Sequence, residues 1–454
     1  MQIAVVGLGY VGLVTATCLA RLGQDVLGLE SDRAKLAALA DGRTPFYEPG
    51  LDGELAAQRA SGRLRFTDDP KEALGTADAV LICVGTPSAA DGRADLGAVN
   101  AVADAIGQHL GKRAVVALRS TVPVGTTRSV EARLNRALAA RDGSGPVPVV
   151  ANPEFLRTGR ALDDFLRPSR VVLGRTELAS DADVDVLAAL YRPLAAPILV
   201  FDAESAELVK NAANAYLALR ISFVNELAQL CEASGASIES VIAGIAPDPR
   251  IGGDYLRPGL GYGGSCLPKD VRSLIAQGGE RALPMGLARA VDQVNAQQPV
   301  GVADRLSAAL GGLEGRRIAL LGLAFKPDTD DIRDSPALTL AEALRERGAV
   351  VVGCDPQAGD RVRALMPWIE QAASAIEAVR GADAAVLATE WPAYVTLDLA
   401  ALRGAMRGDV LFDGRNALDP GRVGAAGLRY LAVGRSARPD GVPAGASAVV
   451  SADA

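Results

Sequence analysis

Residues 1–30 constrain the fold more than any other stretch of the chain. Residues 2–6, QIAVV, form an apolar strand pattern, and Gly7-Leu8-Gly9-Tyr10-Val11-Gly12 follows at once. Leu13 to Leu22 then carries helical spacing. In this strand–turn–helix order each glycine has its own task. Gly7 permits the tight turn, Gly9 lets the backbone approach a pyrophosphate, and Gly12 allows close helix–strand packing. The helix N-terminus then meets the negative pyrophosphate. A second strand pattern, Asp25 to Leu29, ends at Glu30, 18 residues after Gly12. A carboxylate there accepts hydrogen bonds from an adenosine ribose and repels a 2′-phosphate, which selects NAD over NADP.

Strand patterns at 79–84, 114–119 and 147–150 alternate with helical ones, as a parallel sheet requires. The ends of these strands carry Thr86-Pro87, Ser120-Thr121 and Asn152-Pro153-Glu154, on the carboxyl edge where open α/β sheets bind ligands. The chain then echoes itself. Arg317 to Leu323 repeats the opening strand and turn, Ala382-Asp383-Ala384 repeats Ala77-Asp78-Ala79, and the strand from Val350 to Cys354 ends in Asp355 as the second ended in Glu30. A second Rossmann-like unit is therefore expected over roughly 315–435. Its turn reads GLAFKP, without the glycines that cradle a pyrophosphate, so it is assigned a different nucleotide held by side chains. Between the halves, 204–232 reads as one long helix, shorter helical material runs to about 245, and another helix covers 284–310. The fold class is α/β: two Rossmann-like parallel-sheet domains joined by a central helical domain. The expected boundaries are 1–200, 201–310 and 311–435, with a loose Gly-, Pro-, Ser- and Ala-rich tail over 436–454.

Composition narrows the chemistry. The 454 residues are 49% hydrophobic and 22% charged, enough apolar surface for several cores. A single histidine, His109, excludes a three-histidine zinc site, and the dispersed cysteines Cys18, Cys83, Cys231, Cys266 and Cys354 offer no closed alternative. No metal is expected. Five scattered thiols in a long chain read as cytosolic rather than as a disulfide framework. The net charge of −7 argues against a nucleic-acid-binding surface. The opening residues enter a strand directly and no apolar run reaches membrane-spanning length, so a cytoplasmic protein without a membrane partner is expected.

The residues with chemical character gather in the middle of the chain. Pro258-Gly259-Leu260-Gly261-Tyr262-Gly263-Gly264-Ser265-Cys266-Leu267-Pro268-Lys269-Asp270 places a glycine-rich loop before a cysteine and a helix start. Such a loop wraps a ligand or makes several unusual turns. Backbone N–H groups and Lys269 beside Cys266 would favour a thiolate nucleophile; a small buried thiol is the bland alternative. Lys210 and Asn214 lie four apart on the long helix and face the same way, one supplying positive charge to an oxyanion and the other a hydrogen bond. Lys210 is one of only six lysines in an arginine-rich chain, consistent with a need for a compact ammonium.

These residues resemble the UDP-glucose / GDP-mannose dehydrogenase family, most closely its members that oxidise UDP-glucose at C6. The resemblance covers nearly all of the chain except the tail. It is carried by GLGYVG at 7–12, YEPGL at 47–51, STVPVGT at 120–126, NPEFL at 152–156 and KNAANAY at 210–216, then by PRIGGDYLRPGLGYGGSCLPKD at 249–270, GLAFKPDTDDIRDSP at 322–336 and DGRN at 413–416. It implies an NAD-dependent four-electron oxidation of a primary alcohol to a carboxylate. By this resemblance Cys266 captures the C6 aldehyde as a thiohemiacetal and carries the later thioester. Lys210, Asn214 and Asp270 stabilise oxygen charge, while Thr121 and Glu154 position water and move protons. Gly7, Gly9, Tyr10, Val11, Gly12, Glu30, Lys35, Thr86, Thr121, Glu154, Lys269 and Arg333 fall in the NAD set. Glu154, Phe155, Leu156, Lys210, Asn214, Arg250, Tyr255, Gly259, Tyr262, Gly263, Phe325, Lys326 and Arg415 fall in the nucleotide-sugar set. The resemblance also implies a homodimer or higher homo-oligomer built on the helical block.

One position departs from the pattern: the family commonly follows NPEFL with Arg-Glu-Gly, and this chain has Arg157-Thr158-Gly159. Thr158 can hold water but cannot be a carboxylate base. UDP-glucose is the expected substrate, with GDP-mannose and UDP-N-acetylhexosamines as near alternatives. A two-electron dehydrogenase that stops at the aldehyde, or a non-catalytic nucleotide sensor, would leave the Cys–Lys–Asn–Asp combination without a purpose.

Overall fold

A computed structural model describes residues 1–142 and 145–435. The tail expected from 436 onward lies outside the described residues. Eight strands form the first sheet: β1 (Gln2–Val6), β2 (Asp25–Leu29), β3 (Leu64–Thr67), β4 (Ala79–Ile82), β5 (Val115–Leu118), β6 (Val149–Ala151), β7 (Val171–Arg175) and β8 (Ile198–Asp202). Their order is β3-β2-β1-β4-β5-β6-β7-β8. Every residue of β4, β5 and β6 is buried, because helices cover both faces of a parallel sheet and leave no polar side. The order reverses between β1 and β4, where a doubly wound sheet opens its ligand crevice.

The sheet departs from the sequence expectation at one edge. β7 pairs antiparallel with β6, and β8 pairs parallel with β7, so two strands extend the parallel set. β6 also starts later than expected, at Val149, because Pro148 has no N–H to give to a ladder.

The second sheet contains β9 (Arg317–Leu321), β10 (Val350–Cys354), β11 (Glu370–Gln371), β12 (Ala384–Leu387), β13 (Val410–Asp413) and β14 (Arg429–Ala432). Its order, β11-β10-β9-β12-β13-β14, is that of the first six strands of the other sheet, and all pairs are parallel. The internal repeat read from the sequence thus extends to the topology. It also extends to one side chain in each sheet. Asp78 accepts the first strand N–H of β1, from Gln2 at 2.8 Å, and Asp383 accepts that of β9, from Arg317, also at 2.8 Å.

Both carboxyls are held below the usual range. For Asp78 the main cause is its hydrogen bond from Lys112, followed by the Gln2 N–H. For Asp383 burial pushes the other way and is outweighed by Arg407 and the Arg317 N–H. A depressed folded-state pKa gives stability that is present above the unfolded carboxylate value of about 4 and is lost as pH falls through the folded value. The thermal midpoint should therefore drop below about pH 4, and the drop should be shallower in Asp78→Asn and Asp383→Asn. Identical acid limbs in wild type and variants would contradict this.

The described chain packs as two units, Met1–Asn214 with Arg272–Met285, and Ala215–Val271 with the residues from Gly286 onward. The long helix expected at 204–232 is present as Ala203–Ser234. Asp202 starts it, accepting the Ser205 N–H at 2.7 Å and the Ser205 hydroxyl at 2.8 Å. A shorter helix, Ile238–Ile245, follows, capped by Ser237. Gly286–Leu310 forms the other long helix of this region, with Pro299 in its interior. Among the described residues no helix is long and apolar enough to cross a membrane.

Candidate active site

In the first unit the glycine turn has the geometry its spacing implies. Gly7 has φ +89°, and a Cβ there would sit 2.7 Å from Val84 Cγ1. A Cβ on Gly12 would lie 1.8 Å from the Gly7 carbonyl oxygen, so only glycine lets the helix approach the turn. Gly9 has nothing within 4 Å of its Cβ position, which leaves open space where a pyrophosphate would lie. Helix Tyr10–Arg21 begins there without a side-chain cap, so its first N–H groups are free to meet an anion. Val11 lies in its first turn.

Glu30 is buried at the end of β2. One carboxylate oxygen accepts the Leu8 N–H at 3.0 Å, and the other accepts Ser31 at 2.9 Å and Asp32 at 3.1 Å. Lys35 Nζ stands 3.6 Å away. These bonds fix the carboxylate to the turn, as a ribose-binding acid requires. The equivalent acid of the second sheet is tied to its turn in a similar way. Asp355 accepts Leu323 and Ala324 N–H groups at 2.7 and 3.0 Å and the Trp391 indole N–H at 3.1 Å.

Glu154 is the catalytic candidate of the first unit that pairs with Lys210. Lys210 and Glu154 are both buried, with Nζ 3.4 Å from the Glu154 carboxylate. Lys210 also lies over the Phe155 ring at 5.4 Å, and Arg170 covers that ring at 3.7 Å. Glu154 accepts the Leu156 N–H, which curls the backbone around the carboxylate. Asn214 is buried one turn along the helix. The Thr86 hydroxyl donates to the Thr121 carbonyl at 2.7 Å and joins two strand-end loops.

The sequence reading missed the groups that hold these residues in place. Glu207, one turn before Lys210, accepts Gly125 N–H, Thr127 N–H and Thr127 O–H, each at 2.6 Å. Asn211 donates to the Val122 carbonyl at 3.2 Å. One helix face therefore ties down the Thr121 loop and presents Lys210 and Asn214. Burial pushes the Glu207 carboxyl above its ordinary value, against the pull of its Thr127 and Gly125 donors. Arg119, also buried, donates to Asn152 at 3.1 Å, and Tyr191 donates to the same oxygen at 2.5 Å. They fix the residue two before Glu154. A carboxylate three residues from a helix lysine was the only available sequence signal for Glu207.

In the second unit Cys266 immediately precedes helix Leu267–Glu280, with Pro268 in the first turn. It is part-exposed, whereas Cys18, Cys83, Cys231 and Cys354 are buried. Burial pushes the Cys18 and Cys83 thiols up to about 12. Lys269 turns to Asp270, which is buried, with its Nζ 2.6 Å from the carboxylate. Arg333 is a cation within electrostatic reach of Cys266; its pKa is raised chiefly by its Asp331 hydrogen bonds and further by Cys266. Arg333 is fixed by those bonds at 2.8 and 2.6 Å, and its carbonyl accepts the Gly264 N–H at 2.8 Å.

The glycine loop packs on the turn that follows β9. A Cβ on Gly263 would lie 2.3 Å from the Asp334 carbonyl, and one on Gly264 would lie 2.7 Å from the Phe325 ring. A Cβ on Gly259 would meet the Gly414 carbonyl at 2.8 Å. Tyr262 is buried, its backbone exchanging hydrogen bonds with Asn295 at 2.8 and 3.0 Å. Arg415 spans these segments, donating to Ala388 and Phe325 carbonyls at 2.7 and 3.0 Å. Lys326 stands 5.7 Å from the Phe325 ring. Tyr255 has φ +61°, and Arg250 is exposed and held by Asp248 at 2.6 Å.

Comparison with known proteins agrees with this geometry. Residues 1–195 match the NAD binding domain of the UDP-glucose/GDP-mannose dehydrogenase family, 204–297 its central domain and 319–420 its UDP binding domain. The chain belongs to the UDP-glucose/GDP-mannose dehydrogenase family. It is 43% identical to a UDP-glucose 6-dehydrogenase of Rhizobium meliloti over 440 residues, 96% of this chain and all of that protein. Among solved structures it is similar to a UDP-glucose dehydrogenase from Pyrobaculum islandicum, with TM-score 0.88 and 39% identity over 96% of this chain and 98% of that one. A UDP-D-ManNAc dehydrogenase from Pyrococcus horikoshii matches with TM-score 0.85 and 30% identity, over 96% of this chain and all of that one. Membership of the UDP-glucose/GDP-mannose dehydrogenase family carries NAD-dependent oxidation of a nucleotide sugar.

Proposed function

We propose that the protein is a UDP-glucose 6-dehydrogenase that makes UDP-glucuronate by oxidising C6 twice. The reading rests on Cys266, the one part-exposed thiol of the five, set at a helix start with Arg333 in reach. The Gly7–Gly12 turn, Glu30, Lys35, Thr86, Lys269 and Arg333 are the residues that would hold NAD, which would supply the hydride acceptor for both oxidations. In this reading 1–200 binds NAD, 201–310 supplies catalytic residues and the homodimer interface, and 311–435 holds the nucleotide. The protein works in the cytoplasm.

The chain's residues divide the work as follows. As the C6 alcohol loses hydride, its proton passes to the Glu154 side through water held by Thr121. The Cys266 sulfur then adds to the aldehyde carbon, and the carbonyl oxygen takes up negative charge. Lys210 and Asn214 stabilise that charge by ammonium and amide, together with Asp270 through the Lys269 ammonium that its carboxylate holds. Protonation gives the thiohemiacetal, and loss of the second hydride from C6 leaves a thioester. Glu154 activates water for hydrolysis, which breaks the C–S bond, releases the carboxylate and returns the thiol. Holding the aldehyde on sulfur keeps it from escaping between the oxidations. Phe155, Leu156, Arg250, Tyr255, Gly259, Tyr262, Gly263, Phe325, Lys326 and Arg415 bind the sugar nucleotide.

The similarity to a UDP-D-ManNAc dehydrogenase favours one second reading, a UDP-N-acetylhexosamine as substrate. A panel of UDP-glucose, UDP-N-acetylmannosamine and GDP-mannose, followed by NADH absorbance, separates the readings. The highest kcat/KM is expected with UDP-glucose, and turnover confined to either of the others would reject it.

A further inference from the structure

One buried carboxylate is unused by this chemistry and touches two of its parts. Glu48 belongs to the segment before helix Leu51–Ala60, which starts at Gly50 with φ +78°. The side chain is buried and accepts three hydrogen bonds: Gly159 N–H at 2.6 Å, Ala161 N–H at 2.7 Å and the Tyr10 hydroxyl. Tyr10 lies in the glycine turn, with its ring 5.0 Å from that of Phe46, two residues before Glu48. The Tyr10 oxygen in turn accepts the Gly159 N–H at 2.9 Å and a bond from Thr158. Burial first, and then Glu48, push the Tyr10 phenol well above its ordinary value, so it remains a donor.

We propose that Glu48 and Tyr10 are positioning residues that link the pyrophosphate turn to the loop carrying Glu154. Gly159 is five residues beyond Glu154, and its N–H is bound by both partners of the Tyr10–Glu48 pair. Removing the Glu48 carboxylate leaves the buried Ala161 N–H without its acceptor and takes one of two acceptors from the Gly159 N–H, and the loop must move to satisfy them. The departure at Thr158 fits the same network. Its hydroxyl donates where a glutamate would bring a second carboxylate against Glu48, and like charges there would compete for the one phenol proton. The inference rests on the proposed role of Glu154 in moving protons.

Full-length Tyr10→Phe, Glu48→Gln and Glu48→Ala test it. Tyr10→Phe keeps the ring contact and loses only the hydroxyl. It should lower kcat about tenfold to a hundredfold, the scale of a misplaced catalytic group, and should shift the pH profile of kcat while KM for the sugar nucleotide holds. Glu48→Gln, which keeps an acceptor oxygen, should retain more activity than Glu48→Ala. Hydrogen exchange supplies a readout without turnover: added NAD should slow exchange over 154–161 in the wild type and fail to do so in Tyr10→Phe. Equal NAD protection in both proteins would overturn the link. So would a wild-type kcat and pH profile in Tyr10→Phe and Glu48→Gln. A wild type that oxidises no sugar nucleotide would instead reject the functional reading, and the exchange experiment would still decide the link.

Discussion

Replacing Cys266 with serine is expected to reduce formation of the acid product by about a thousandfold or more, the scale seen when a covalent nucleophile is removed. No other thiol can take its place. Cys18, Cys83, Cys231 and Cys354 are buried, and burial holds Cys18 and Cys83 in the protonated form up to about 12. Mass spectrometry of the variant with UDP-glucose and NAD should find either no acid or an ester retained on residue 266. Acid formation at the wild-type rate would remove the thioester from the mechanism.

Lys210→Met is expected to have the second largest effect, with two separable parts. The ammonium and the Glu154 carboxylate are buried together at 3.4 Å, and breaking a buried pair by removing one partner costs about 3–5 kcal/mol. Loss of an oxyanion-stabilising group should also lower kcat by about a hundredfold to a thousandfold. Lys210→Arg should not restore the rate, because a planar fork replaces a compact ammonium in a buried space beside the Phe155 ring. Measuring kcat and the thermal midpoint on the same samples separates the parts. A stable Lys210→Met protein with wild-type kcat would contradict the assignment.

The features legible in the sequence were those set by local spacing. Gly7, Gly9, Gly12 and Glu30 lie within one strand–turn–helix–strand unit, so their order nearly fixes their geometry. The second sheet was legible because it repeats the first down to Asp78 and Asp383. Lys210 and Asn214 followed from helical periodicity. The rest depends on contacts between residues far apart in the chain. Glu48 meets Gly159 and Ala161 across more than a hundred residues, and Glu207 meets the Thr127 loop across 80. No periodicity announces such pairs. Arg333 was missed as a neighbour of the thiol for the same reason: it lies far from Cys266 along the chain, and only the fold brings its charge within reach of the thiol. β7 and β8 escaped because β8 is a largely exposed edge strand, and its apolar residues do not alternate between core and solvent.

The central claim is that Cys266 holds the intermediate so that the sugar is oxidised twice before it leaves. The most direct measurement is NADH formed per UDP-glucose consumed, with the sugar limiting and NAD in excess. The account predicts two NADH per sugar and UDP-glucuronate as the only product. One NADH per sugar, with free aldehyde in solution, would contradict it.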